Sequence, residues 1–299
     1  MEFHPSLDAP RAVSFAGDTL ILPVVSHGNV GQLATDLLVA SVTGARRVGC
    51  LDHPALLPCV GRDAFASDEG DGPGGGHIAL GMEVYRVGGG GGGGALCLAQ
   101  QRAEVTPGSR RSFAADVAEW IADRGFAEVV VLASAPSTEA KAPGEIGGTS
   151  FQHVTASDAP DDRCVAAGIA HRKTSGGGGG GGATATADQK TRDEDDDDDH
   201  RALPPWSLMR ALRAANVTAV ALIATCSEGD NTEDAAAMAD AVAGVLGLGV
   251  ERGGVEMRPA PTDEKVTNDG SERGLSRWTI PPSWRAAYGQ QPMASELFA

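Results

Sequence analysis

Basic residues are scarce in this chain. Lys and Arg number 24 against 40 Asp and Glu, for a formal charge of -16 over 299 residues. A nucleic-acid binder needs a basic footprint to displace counterions from phosphates, so that class is excluded. Long apolar runs are absent too, none approaching the roughly 18 residues of a membrane span. The start, Met1 to Arg11, carries Glu2, Asp8 and two prolines but no apolar stretch, so no signal peptide is expected. Cysteine is sparse: Cys50, Cys59, Cys97, Cys164 and Cys226 are odd in number, widely spaced and without a CxxC. Such a pattern belongs to reduced thiols, and a soluble intracellular protein is expected. HExxH, a complete GxGxxG and GK[ST] are all missing, which removes the sequence grounds for a zinc protease or a phosphate loop.

Glycine and acid are what the chain has in excess. Fourteen of 41 glycines lie in two homopolymer runs, Gly88 to Gly94 and Gly176 to Gly182. Neither run brings a side chain to a core, so both read as insertions. Asp193 to Asp199 is an unbroken acidic block, read as a solvated tract.

Between these segments, strand and helix patterns alternate. Leu20 to Val25 is continuously apolar, as in a strand buried on both faces. Val30, Leu33, Ala34, Leu37 and Leu38 then fall on one helical face. Arg47 to Leu51 reads as a strand, and Ile78 to Arg86 with Ala95 to Gln101 as strands flanking the first Gly run. Phe113, Val117, Trp120 and Ile121 mark a helix ending near Gly125, followed by the strand Glu128 to Ala133. Ser150 to Ala156 and Arg163 to Ala170 read as strands. Leu208 to Leu212 is helical, Val217 to Ala224 a strand, and Ala235, Met238, Ala239, Val242 and Leu246 a further helix. One α/β domain is expected over about 12–289, a central mixed sheet flanked by helices. Disordered insertions are expected at about 68–76, 88–94, 136–149, 172–203 and 258–274, with a tail at 290–299.

Few residues point to chemistry. Gly28-x-x-Gly31 sits at a helix N-terminus after a buried strand, where an anion binds in other α/β proteins. The other reading is a tight turn whose glycines allow close strand–helix packing, and the incomplete motif favours it. Glu228 and Asp230 lie at a strand end, as a general base or a metal ligand would, but the same loop caps a helix. Cys50, His53 and Cys59 lack a fourth ligand and regular spacing for zinc. Ser26 and His27 are adjacent in sequence only, which makes no nucleophile–base pair. Trp278 and Trp284 either staple the C-terminal segment to the body or mark an interface, and both readings stand. Leu297-Phe298-Ala299 forms an apolar–aromatic–X triplet before a free carboxylate, a pattern that a pocket with N–H groups or a Lys can capture.

Four segments resemble the proteasome assembly chaperone 2 family. They are Leu20 to Ala34, Val60 to Phe65, Cys226 to Asn231 and Ser276 to Arg285, the last holding Trp278-Thr279-Ile280-Pro281-Pro282-Ser283-Trp284. The resemblance implies a fold similar to purine nucleoside phosphorylases and a non-enzymatic role without cofactor or metal. It implies a heterodimer with proteasome assembly chaperone 1, contacts with proteasome α-type subunits, and action in cytoplasm and nucleus. The complex favours correct α-ring assembly and blocks wrong ring dimerisation. In such chaperones a C-terminal hydrophobic–Tyr–X tail enters pockets between adjacent α subunits. Here Leu297 fills the hydrophobic position, Phe298 replaces Tyr and Ala299 supplies the carboxylate. Trp278 and Trp284 are candidate partner-binding residues alongside them. The contrasting expectation is an enzyme of nucleoside or nucleotide chemistry on a related fold, since fold alone does not carry function.

Overall fold

Continuously apolar segments become strands covered on both faces. The computed structural model describes residues 1–9, 13–66, 78–88, 94–137, 150–172, 205–248, 257 and 277–287. Its strands are β1 (Glu2–Pro5), β2 (Thr19–Pro23), β3 (Arg46–Asp52), β4 (Val60–Gly61), β5 (Ala79–Leu80), β6 (Met82–Val87), β7 (Leu96–Gln101), β8 (Glu128–Pro136), β9 (Ser150–Thr155), β10 (Ala170–His171) and β11 (Ala219–Cys226). Its helices are α1 (Val30–Ser41), α2 (Arg110–Arg124), α3 (Asp162–Ala166), α4 (Pro205–Ala214), α5 (Thr232–Leu246) and α6 (Pro282–Ala287).

Nine strands form one mixed sheet in the order β1-β3-β6-β7-β2-β8-β11-β9-β10, and β4 pairs with β5 in a separate small ribbon. The centre is parallel, from β7 through β2 and β8 to β11. Alternation along each strand splits the apolar residues between two cores. Ile21, Val130, Leu132, Val220 and Leu222 meet α1 and α5 on one face. Leu20, Leu22, Val129, Val131 and Ala221 meet α2 and α4 on the other. Both faces are apolar, which is why these strands read as runs without alternation. The expected mixed sheet flanked by helices is therefore present.

Several boundaries follow from local chemistry. Gly125 closes α2 in the left-handed conformation at φ 71°. Pro205 opens α4, a position where its missing N–H costs nothing. The expected strand over Arg163 to Ala170 is instead α3 followed by β10. Asp161 decides this, because its carboxylate accepts from the backbone N–H groups of Arg163 and Cys164 and starts a helix. The strands expected to flank the first Gly run are present as antiparallel β6 and β7, with Val87 paired to Leu96. Of the expected insertions only Gly88, Gly94, Pro136, Ser137 and Arg172 fall within the described residues, and Pro136 ends β8.

Candidate functional site at the mouth of the parallel strands

In an open α/β sheet the place for a ligand is the crevice at the carboxyl ends of neighbouring parallel strands whose connections leave in opposite directions. Here that place lies between β2, which continues through α1 towards β3, and β8, whose chain continues towards β9 and β11. Residues Ser26 to Asn29, Ser134, Ser137 and Cys226 to Asn231 surround it.

The crevice is filled by its own side chains. The Ser26 and Ser134 hydroxyls stand 3.0 Å apart, and Ser26 Oγ also accepts from the Ser134 backbone N–H at 3.0 Å. Ser134 Oγ donates to the His27 carbonyl, which also accepts from Cys226 Sγ at 3.5 Å. A side chain on Gly28 would stand 2.5 Å from Asn231 Nδ2, so this glycine lets the loop close onto α5, and its φ of +63° suits glycine too. A side chain on Gly31 would lie 2.9 Å from the Leu132 carbonyl oxygen, so α1 rests directly on β8. The glycines serve close packing, as the incomplete phosphate motif favoured.

At the mouth and elsewhere in the sheet, several groups that could do nucleophilic or acid–base work are engaged in structural bonds. Burial pushes the Cys226 thiol up to about 11, so it stays protonated and donates. Asp36 is spent on Arg102 at 2.8 Å and on Gln100 at 2.6 Å. Glu83 pairs with Arg47 at 2.7 Å and accepts from Tyr85 Oη at 3.1 Å. Burial first, and the Glu83 charge second, push the Tyr85 phenol far up, which keeps it a donor. Asp230 caps α5 by accepting from the Thr232 N–H at 3.0 Å. His53 bonds Asp116 at 2.8 Å and accepts from the Ala55 N–H at 3.0 Å, away from any zinc role. Among the described residues no group of three His, Cys, Asp or Glu is placed to hold a metal.

The C-terminal segment forms a strap. Trp278 is 2% exposed and Trp284 6%, and both join the core between α1 and α5. Trp278 Nε1 donates to Asp240 Oδ1 at 3.0 Å, while Arg277 lies over the indole and pairs with the same carboxylate at 3.2 Å. The Thr279 N–H donates to Ser41 Oγ at 2.8 Å, and the Ser283 N–H to the Ala64 carbonyl at 3.2 Å. The strap thus crosses α5, the end of α1 and the loop before Phe65. Stapling accounts for the packing of both tryptophans, and buried rings offer a partner little surface. Leu297, Phe298 and Ala299 lie outside the described residues. Ser134, Asp240 and Ser41 carry parts that the sequence patterns did not assign. Ser134 shows only as a polar residue inside the apolar run Val129 to Ala135.

A three-layer α/β scaffold whose ligand crevice is closed by its own side chains is the class defined so far. The chain belongs to the PAC2 family, whose model matches residues 20–266. It is similar to proteasome assembly chaperone 2 of Danio rerio, with 27% identity over 281 residues, covering 92% of this chain and 93% of that protein. It is also similar to proteasome assembly chaperone 2 of Nematostella vectensis, with 36% identity over 156 residues, covering 52% of this chain and 61% of that one. That second match spans less than two thirds of the anemone protein. Among solved structures, Pyrococcus furiosus PbaA, an archaeal homolog of proteasome-assembly chaperone, has a TM-score of 0.52 at 15% identity, covering 83% of this chain and 84% of its own. Pyrococcus furiosus PbaB, an archaeal proteasome activator, has a TM-score of 0.53 at 14% identity, covering 81% and 88%. Identities this low carry the fold alone.

Proposed function

We propose that this chain is a non-enzymatic chaperone for assembly of the proteasome core-particle α-ring, working as a heterodimer with proteasome assembly chaperone 1 in cytoplasm and nucleus. The observation that carries the proposal is the match over 92% of the chain to the zebrafish chaperone, inside a family match over residues 20–266. The closed crevice supports action through surfaces, since a substrate at the switch point would have to displace Ser26, Ser134 and Asn231. The nine-stranded mixed sheet also supports the proposed likeness to purine nucleoside phosphorylases, which superposition on such an enzyme tests.

In this proposal Leu297, Phe298 and Ala299 dock between α-type subunits, Phe298 in an apolar groove and the carboxylate on a Lys. A charge-assisted hydrogen bond contributes about 1.5–3 kcal/mol and a buried Phe ring a similar amount. Part of that is lost in ordering the tail. Deleting Leu297 to Ala299 should weaken α-ring binding at least about tenfold. Adding one Gly after Ala299 should do similar damage, because it moves the carboxylate and keeps every side chain. Heterodimer formation should not change. The test is ring affinity for native, truncated and extended tails at fixed salt. Three equal affinities would remove the tail from the proposal, and turnover of a nucleoside with phosphate would replace the chaperone reading with an enzymatic one.

A further inference from the structure

The far edge of the sheet, α3 and β10, is held by one buried ring. Between Ser157 and Arg172 only Cys164 and Ile169 are buried, so apolar packing contributes little there. β10 pairs with β9 over two residues, Ala170 with Gln152 and His171 with His153. His153 is fully buried on β9 and bonds to both ends of the α3 excursion. Its Nδ1 donates to the Ile169 carbonyl at 2.9 Å, just ahead of β10. Its Nε2 accepts from the Asp161 N–H at 3.1 Å, at the start of α3. Its own carbonyl accepts from the Arg172 N–H at 2.8 Å. A ring that donates on one side and accepts on the other is neutral, and a proton on Nε2 would set two donors against each other.

Charged and titratable groups approach this ring from several elements. β10 brings His171, its ring centroid 5.0 Å away. The chain before α3 brings Asp158 and Asp161, and Asp161 pairs with Arg163 at 2.8 Å. Arg163 reaches on to Glu128 of β8 at 2.9 Å. α3 adds Asp162 and Cys164, and α5, packed on α3, carries Glu233, Asp234 and Asp240. β11 offers Cys226 alone, at its end beyond Leu222, the residue paired with His153. We infer that His153 is a proton-operated latch: neutral, it clips α3 and β10 onto β9, and protonated, it lets this edge swing free while the rest of the sheet stays folded. Release bares the backbone of β9, a sheet edge open to pairing, and the Cys164 thiol. Burial first, and His171 among the charges, hold the His153 pKa below 6.5, so the closed edge takes the proton less readily than the open one. Acid therefore favours opening, from 6.5 down to the lowered value. Arg163 first, against burial, keeps the Asp161 carboxyl below its usual range, so the pair with Arg163 outlasts the neutral ring as pH falls.

The test uses the full chain and its own thiols. Burial pushes the Cys164 thiol up to about 12, so it stays unreactive while the edge is closed. Cys59 is exposed, and Cys97 is buried in the core on the other face of the sheet. Labelling with a dipyridyl disulfide, which reacts at acid pH, is followed at each cysteine by mass spectrometry. From about pH 7.5 to 5.5 the rate at Cys164 relative to Cys59 should rise at least about threefold, with Cys97 still protected; one proton allows no more than about tenfold per pH unit. His153→Gln keeps a donor and an acceptor but cannot titrate, so its ratio should be flat, whatever its level. Histidine-selective nitrogen spectra of the native chain give a readout free of substitution. They should show His153 with its proton on Nδ1 near neutral pH, and a titration midpoint matching that of Cys164 labelling. A flat native profile, a rise shared by Cys97, a native slope in His153→Gln or mismatched midpoints would each overturn the latch.

Discussion

At the scale of single residues, the mouth of the sheet is governed by what fits. Gly31 is the sharpest case, because the nearest atoms to an added Cβ belong to the Leu132 backbone, at 2.9 and 3.1 Å. Gly31→Ala should therefore destabilise by about 1–3 kcal/mol, measured as a lower denaturation midpoint. Gly244 in α5 has nothing within 4 Å of an added Cβ, so Gly244→Ala should be neutral or stabilising. Equal effects at both sites would contradict the packing account. His153 makes a second residue-scale case. Its Nδ1 donates to the Ile169 carbonyl at 2.9 Å and its Nε2 accepts from the Asp161 N–H at 3.1 Å, an arrangement that needs the neutral ring. Burial, helped by the neighbouring His171, holds its pKa below the usual 6.5. The unfolded chain takes up this proton first, so the contribution is complete above 6.5 and is lost as pH falls through the lowered value. Melting temperature should drop for the native chain between about pH 7 and 5, with a shallower slope in His153→Gln. Parallel slopes would show that another group sets the pH dependence.

At the scale of elements, the strap decides how the C-terminal segment is held. Trp278→Phe keeps an aromatic ring in the core but removes the bond to Asp240. The expected loss is about 1 kcal/mol, discounted because Asp240 keeps 37% of its side chain in water. Burial raises the Asp240 pKa, while Arg277 and Trp278 pull it down. Removing the indole N–H should raise it further, so the deficit should be full near neutral pH and shrink as pH falls through these raised values and the carboxyl takes up its proton. A deficit independent of pH would point to ring packing instead. Elements with a strong period were legible in the sequence. α1, α2 and α5 follow their apolar faces, and β2, β8 and β11 follow their unbroken runs. α3 was not legible as a helix, because five residues carry too little period and a single Asp161 cap decides the outcome. β1 was not legible either, since Glu2–Pro5 becomes a strand only by pairing with β3. The strap reads as a cluster of tryptophans and prolines, while its anchors Ser41 and Asp240 lie far away in sequence. The filled crevice was half legible: Gly28 and Gly31 announce a tight turn, but nothing local places Ser134 against Ser26.

At the scale of the whole molecule, three layers and a closed crevice leave surfaces as the working parts. The same sheet supports enzymes in other proteins, so the fold by itself does not choose between catalysis and binding. Here the choice falls to side chains. Asp18, Asp36 and Glu83 are paired with arginines, the Cys226 thiol is held protonated, and the described side chains at the switch point bond to one another. In the proposed reading, Leu297 to Ala299 are the residues that meet the ring. The most direct test is quantitative purification of the N-terminally tagged chain from its source cell, with bound proteins measured by mass spectrometry. The account predicts enrichment of proteasome α-type subunits together with a single second chaperone, the α-type subunits falling when Leu297 to Ala299 are removed. Recovery of the chain with no α-type subunits, under conditions where the tagged protein is folded and expressed, would contradict it.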